Sequence, residues 1–287
     1  MDEQNQIADN SAPVNPLRSH FRQPEVYLDL PSKGKFWNGG INMPPTGEVP
    51  VLSMNATDEI TINTPDALLN GEAVVKVVES CIPCVTDGWE TPSIDIDSIL
   101  IAIRIASYGE MMAIEATCPQ CSEENQYDVD LKGFLTPKPS DLFDSPLDVK
   151  DFLIYFQPVS YRTLNKQNQQ AFEEQRLISM VTDAELTDEE KTERFREAFS
   201  RLKEISFAVA TNSIKMIKIK ETDVEVTDRD FISEFINEVD RKVYGEIAKK
   251  INELDGIYDT DDINIKCNAC EHQYTTPFVF DYSNFFV

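Results

Sequence analysis

The chain is poor in histidine, glycine and positive charge. Its 287 residues hold two histidines, ten glycines, and 26 Lys and Arg against 51 Asp and Glu. His20 lies in a stretch read as disordered and His272 beside a cysteine pair, so no Ser-His-Asp constellation can be built. The glycines form neither GxGxxG nor GxxxxGK[ST], so both common phosphate-cradling loops are excluded. Apolar runs such as Ile99 to Ile103 are far too short to cross a bilayer, which predicts a soluble protein. The first sixteen residues, MDEQNQIADNSAPVNP, lack the basic and apolar regions of a signal peptide. The net charge of −25 repels nucleic-acid backbones and anionic membranes alike. Other proteins are the partners such a surface favours. No spacing singles out a carboxylate pair for acid/base work, so the residues point to a non-enzyme.

Against these absences stand six cysteines in three CxxC pairs. Cys118-Pro-Gln-Cys121 and Cys267-Asn-Ala-Cys270 each follow a strand-like stretch. Two such knuckles can supply four thiolates to a tetrahedral Zn²⁺. The predicted metal ligands are therefore Cys118, Cys121, Cys267 and Cys270. A fully ligated ion has no open position for water, so it staples rather than catalyses. It would tie the middle of the chain to its C-terminal part across 145 residues. Disulfides are disfavoured because nothing marks the chain as secreted. His272, two residues past Cys270, is a weaker candidate ligand. The third pair, Cys81-Ile82-Pro83-Cys84, invites a thiol oxidoreductase reading. However, it follows a helical segment instead of opening one, so no helix dipole stabilises a thiolate there. Buried structural thiols are the plainer reading.

The pattern predicts an α+β fold: a zinc-ribbon-like β platform with helices, and a mainly helical inserted lobe. Residues 1–22 read as a disordered or extended arm, with the platform at 23–135 plus 260–287. A proline-rich linker follows at 136–149, then the insertion at 150–259. Thr64 and Pro65 signal a helix start. Glu72 to Ser80 and Ile99 to Ser107 read as core helices, and Phe36 and Trp37 as anchors of the preceding loop. Tyr161 to Val181 and Asp188 to Thr211 read as a long helical hairpin. Phe195, Phe199, Leu202, Ile205 and Val209 form the predicted buried stripe of its second helix. Phe285 and Phe286 read as a docking tail.

Three segments in order carry a family resemblance. They are Tyr27-Leu28-Asp29-Leu30-Pro31-Ser32-Lys33-Gly34-Lys35-Phe36-Trp37, Met54-Asn55-Ala56-Thr57-Asp58-Glu59-Ile60, and Thr64-Pro65-Asp66-Ala67-Leu68-Leu69-Asn70-Gly71. Together with Ile99 to Gly109 and Cys118-Pro-Gln-Cys121, they resemble the baseplate proteins of T4-like contractile-tailed bacteriophages. The resemblance runs over roughly residues 25 to 135, and the C-terminal CxxC extends it. It implies a hub component or assembly chaperone, made in the host cytoplasm and in some cases retained in the virion tail baseplate. Other phage hub or tail proteins would be its partners, with no enzymatic activity and no nucleic-acid substrate. A zinc-ribbon nucleic-acid-binding or regulatory module is the alternative. It requires a basic face, yet only Lys132 and Lys266 lie close to a knuckle in sequence.

Overall fold

The computed structural model describes residues 15–64, 70–136, 141–183, 187–258, 262–278 and 285–286. The helix start at Thr64 and Pro65 runs into residues outside these, as do residues 1–14 of the arm expected at 1–22; in the rest of that stretch Pro16–His20 form a 3-10 turn and Arg22 donates to Ser53 O and Asp58 Oδ2. The fold is mixed α+β with small antiparallel sheets.

Strands β1 (Pro24–Asp29) and β2 (Glu48–Leu52) pair antiparallel. Helix α1 (Ala56–Ile62) follows, which the sequence pattern had not signalled. Its start is fixed by a capping box between Asn55 and Asp58, which satisfies orphan N–H groups that a seven-residue helix could not otherwise spare. Helices α2 (Glu72–Cys81) and α3 (Ser93–Tyr108) form the centre of the first core. Ten residues of α3 are buried, consistent with a sequence apolar on nearly every side. Pro92 sets its entry, so the helix begins six residues earlier than the apolar run at Ile99 suggested. Leu28, Leu30, Val49 and Val51 pack on these helices.

Phe285 and Phe286 are buried in the same core, each 2% exposed. The Phe285 carbonyl accepts a hydrogen bond from Arg104 Nε at 3.0 Å. The docking-tail expectation is thereby corrected: two aromatic rings gain more from this core than from solvent.

The second core lies under the sheet β5-β6-β7-β8. Its strands are Leu147–Val149, Phe152–Phe156, Ile214–Ile219 and Glu225–Val226. The stretch read from its prolines as linker thus ends in a strand, preceded by a 3-10 turn (Asp141–Asp144) that buries Phe143. Helices α4 (Tyr161–Asp183) and α5 (Asp188–Ser213) leave the sheet after β6 and return directly into β7. Helices α6 (Arg229–Glu238) and α7 (Arg241–Tyr258) cover it with Ile232, Ile236, Val243, Ile247 and Ile251. The two cores are stitched where Ser93 N–H donates to Val159 O and Tyr161 N–H to Thr91 O. Ile94 of α3 belongs to the second core, and Tyr161 of α4 to the first.

The loop after β1 is held by a buried carboxylate. Asp95, fully buried in the first turn of α3, accepts hydrogen bonds from Ser32 N–H (2.7 Å), Ser32 Oγ–H and Trp37 Nε1–H (2.8 Å). Trp37 sits in the first core, as expected, while Phe36 turns the other way. Its ring meets Phe143 of the second core edge-on at 5.6 Å. To do so Phe36 adopts φ +68°, a costly conformation for a bulky residue that packing on both sides must offset. Gly34, at φ +77°, passes so close to Met43 that a Cβ would lie 2.4 Å from its Cγ.

Burial raises the Asp95 carboxyl from 3.8 to about 6, and the three donors only partly offset this. Its folded pKa lies above the unfolded one, so folding favours the protonated form. Its contribution to stability is therefore greatest below 3.8 and declines as pH rises towards 6. Relative to an Asp95→Asn variant, the protein should gain about 1 kcal/mol in unfolding free energy between about pH 7 and pH 5. The variant itself should be less stable by about 1–3 kcal/mol, because its amide turns a donor towards donors. Urea melts at the two pH values measure both.

Candidate metal centre

Two hairpins of matching design present the cysteines. β3 (Met111–Thr117) pairs with β4 (Glu124–Asp130), and β9 (Ile263–Lys266) with β10 (Gln273–Thr276). Each connection is a six-residue knuckle, since Thr117 pairs with Glu124 and Lys266 with Gln273. The internal bonding repeats as well. Cys118 N–H donates to Glu123 O and Ser122 N–H to Cys118 O; Cys267 N–H donates to His272 O and Glu271 N–H to Cys267 O. Ser122 and Glu271 occupy the same left-handed conformation, φ +59° and +60°. This tight turn brings both sulfurs of a CxxC to one side.

The structure brings together all four sequence-predicted ligands. The Sγ atoms of Cys118, Cys121, Cys267 and Cys270 lie within 4.8 Å of one another and could hold a metal ion. Across the hairpins, Cys118 faces Cys270 at 3.7 Å and Cys121 faces Cys267 at 3.6 Å. Cys118 and Cys267 are buried, whereas Cys121 and Cys270 are exposed. The Cys267 thiol is pulled down to about 6, first by the Cys270 backbone N–H and then by that of Ala269. The Cys121 and Cys270 thiols shift the opposite way, so the protons belong to the cluster as a set and not to single sulfurs. His272 contributes its backbone carbonyl to the knuckle while its ring stacks on Tyr274. It is not among the clustered groups.

Two further residues fasten one hairpin to the other. Asn125 is buried and sends its Nδ2 to Cys267 Sγ (3.5 Å) and to Glu123 O (3.1 Å). Its Oδ1 accepts from Asn268 N–H at 3.2 Å. Tyr274 answers from the second hairpin, its hydroxyl reaching Ala116 O at 3.5 Å. Asn125 and Tyr274 each lie seven residues past the first cysteine of their own knuckle. Sequence reasoning missed both, although superposing the two knuckles would have exposed the shared spacing.

The third cysteine pair lies elsewhere. Cys81 ends α2 and is buried beside Arg22, Asp58 and Ser80. Arg22 donates to Asp58 Oδ2 (3.0 Å), Ser53 O (2.7 Å) and Ser80 Oγ (2.8 Å). Burial pushes the Cys81 thiol up to about 12, with the Asp58 charge adding to it; burial also raises Cys84. A redox nucleophile needs the opposite shift. The two lysines close to the knuckles are both paired, Lys132 with Glu110 and Lys266 with Glu271. No helix among the described residues is long and apolar enough to cross a membrane.

In comparisons with known proteins, residues 28–287 match the family model described as T4 bacteriophage base plate protein. No curated protein and no solved structure matches the chain.

Asn125→Ala would strip Cys267 Sγ of its side-chain donor and leave the Asn268 N–H without an acceptor. We expect a loss of about 1–3 kcal/mol in unfolding free energy, read from denaturant melts against the parent chain.

Proposed function

The chain belongs to the T4 bacteriophage base plate protein family, and on that premise we propose that it is a non-enzymatic structural or assembly protein of the baseplate hub, stapled by a structural zinc ion. The four-sulfur cluster carries this reading. In a tetrahedral site with Zn–S bonds of about 2.3 Å, neighbouring sulfurs stand about 3.8 Å apart. The cross-hairpin distances of 3.6 and 3.7 Å fit that edge. Four cysteines leave no position for a reacting water, so the ion would supply folding energy and not Lewis-acid chemistry. We assign a zinc-ribbon-like platform to residues 23–135 plus 260–287, a reading supported by the matching hairpins β3–β4 and β9–β10. The mainly helical insertion is assigned to residues 150–259, together with Phe143 and β5 from the stretch 136–149 first read as its linker.

The protein would act through contacts with other hub or tail proteins, assembling in the host cytoplasm. Its acidity and the neutralised lysines at the knuckles support proteins over nucleic acid as partners. The raised Cys81 and Cys84 thiols weigh against the oxidoreductase reading.

Purified protein should carry one zinc per chain by elemental mass spectrometry. Chelation, or Cys118→Ser, should lower stability by several kcal/mol, because metal affinity feeds directly into folding. An unchanged melting curve after complete chelation would refute the staple. The role is tested separately, by quantitative mass spectrometry of virions against infected-cell lysate. Stoichiometric presence in virions makes the protein a hub subunit. Presence only in lysate, bound to tail intermediates, makes it an assembly chaperone. Absence from both would remove the hub role.

A further inference from the structure

The periodicity of α5 calls for a buried stripe at Phe195, Phe199, Leu202, Ile205 and Val209. That expectation is corrected: Phe199 is 63% exposed, and the other four are only half-buried. Two polar side chains of α4 are buried instead, Gln167 and Glu174, each 8% exposed. Burying an amide and a carboxylate is costly unless their polar atoms are satisfied. Here Gln167 Nε2 and Glu174 Oε2 have no hydrogen-bond partner. Glu174 Oε1 is engaged, by Arg201 Nε of α5 at 2.8 Å.

Both side chains line one cleft of about 600 Å³ between α4 and α5. On α4 the cleft runs from Thr163 to Glu174, about 16 Å of helix. Gln167 and Glu174 lie two turns apart on the same face, about 10 Å along the axis. The cleft therefore presents an unmet donor and an unmet acceptor, separated by more than one small ion can bridge.

The two orphaned atoms narrow the occupant. A metal cation or a polyamine supplies no acceptor for Gln167. An inorganic anion or a nucleic-acid phosphate supplies no donor for Glu174, and a chain of net charge −25 repels it. No aromatic ring is among the described residues that line the cleft, so a base has nothing to stack on. An extended peptide meets both needs. Its carbonyls accept, and at about 3.3 Å per residue three residues cover the span from Gln167 to Glu174.

Charge selects the side chain at the far end. Glu173 and Glu204 line the cleft near Glu174, so three carboxylates stand there against the one guanidinium of Arg201. A neutral side chain, or a sugar, would leave that excess unpaired. A lysine or arginine would reach a carboxylate oxygen already withdrawn from water, where a charge-assisted bond is strong.

We propose that the α4–α5 cleft is the seat of an extended basic segment of another protein. A backbone carbonyl of that segment accepts from Gln167, and its Lys or Arg side chain donates to Glu174. The proposal rests on the reading that this chain works through protein contacts, and it gives the partner's chemistry.

The full chain is titrated with acetylated, amidated alanine hexapeptides that differ only at the fourth residue, and the Gln167 side-chain amide is followed by NMR. The Lys and Arg peptides should bind about tenfold or more tightly than the norleucine, Gln and Glu peptides. Glu174→Gln should abolish this preference. Glu25→Gln, which removes the same charge from an exposed position on β1, should preserve it. Comparing peptides on the parent chain keeps the test valid even where Glu174→Gln fails to fold. No saturable shift up to about 10 mM overturns the proposal. So does a preference kept by Glu174→Gln or lost equally with Glu25→Gln. Free lysine binding as tightly as the lysine peptide also overturns it, assigning the cleft to a small molecule. The virion assay decides the hub role separately: a chain present in virions without the peptide preference loses the cleft alone, and one absent from tails that shows the preference loses the hub role alone.

Discussion

The Asp95 carboxylate is the constraint around which the molecule is arranged. It lies fully buried at the start of α3, and a charge in that position is tolerable only when donors surround it. The donors come from the loop after β1, through Ser32 and Trp37. Once that loop is held, Trp37 fills the first core and Phe36 is directed at Phe143 in the second. The same turn of α3 begins where the Thr91–Ser93 segment meets Val159–Tyr161, the point at which the α4–α5 hairpin departs. One ionisable group thereby sets the position of a loop, a central helix and the junction between two cores.

This explains why Tyr27 to Trp37 is so distinctive a signature. The segment looks like a turn, and Gly34 does relieve a close approach to Met43. Its more demanding tasks are to satisfy a buried carboxylate and to send neighbouring aromatic rings in opposite directions. Substituting residues with generic turn formers would preserve the reversal and lose both.

Much of this was legible in the sequence, for reasons that differ by element. The knuckles were readable because CxxC between alternating stretches is a local pattern with one main chemical use. The long helices α4 and α5 were readable from their periodicity. By contrast, α1 is seven residues long and depends on the Asn55–Asp58 reciprocal cap, which a search for apolar periodicity passes over. The strand at Leu147–Val149 was hidden among prolines, because its strand character comes from pairing with β6 and not from its own composition. No spacing set Asp95 apart from the other carboxylates; its donors are some sixty residues away in sequence, and no local rule reaches that far. Phe285 and Phe286 looked like a free apolar tail for the same reason.

The pairing of the two knuckles also orders events in time. Every residue from Lys132 to Lys266 must be synthesised before Cys267 can meet Cys118. The sheet and helices of the intervening segment close on themselves through neighbours made within that interval. A chain emerging from the ribosome would ordinarily complete its N-terminal unit first. Here the later-made unit can finish while the earlier one still lacks half of its cysteine cluster and the rings of Phe285 and Phe286. Until the C-terminal segment is made, the first core lacks Phe285 and Phe286, and Cys118 and Cys121 lack the sulfurs they face across the hairpins. The first core therefore stays open to solvent for longer during synthesis than the second, although its strands and central helices are made earlier.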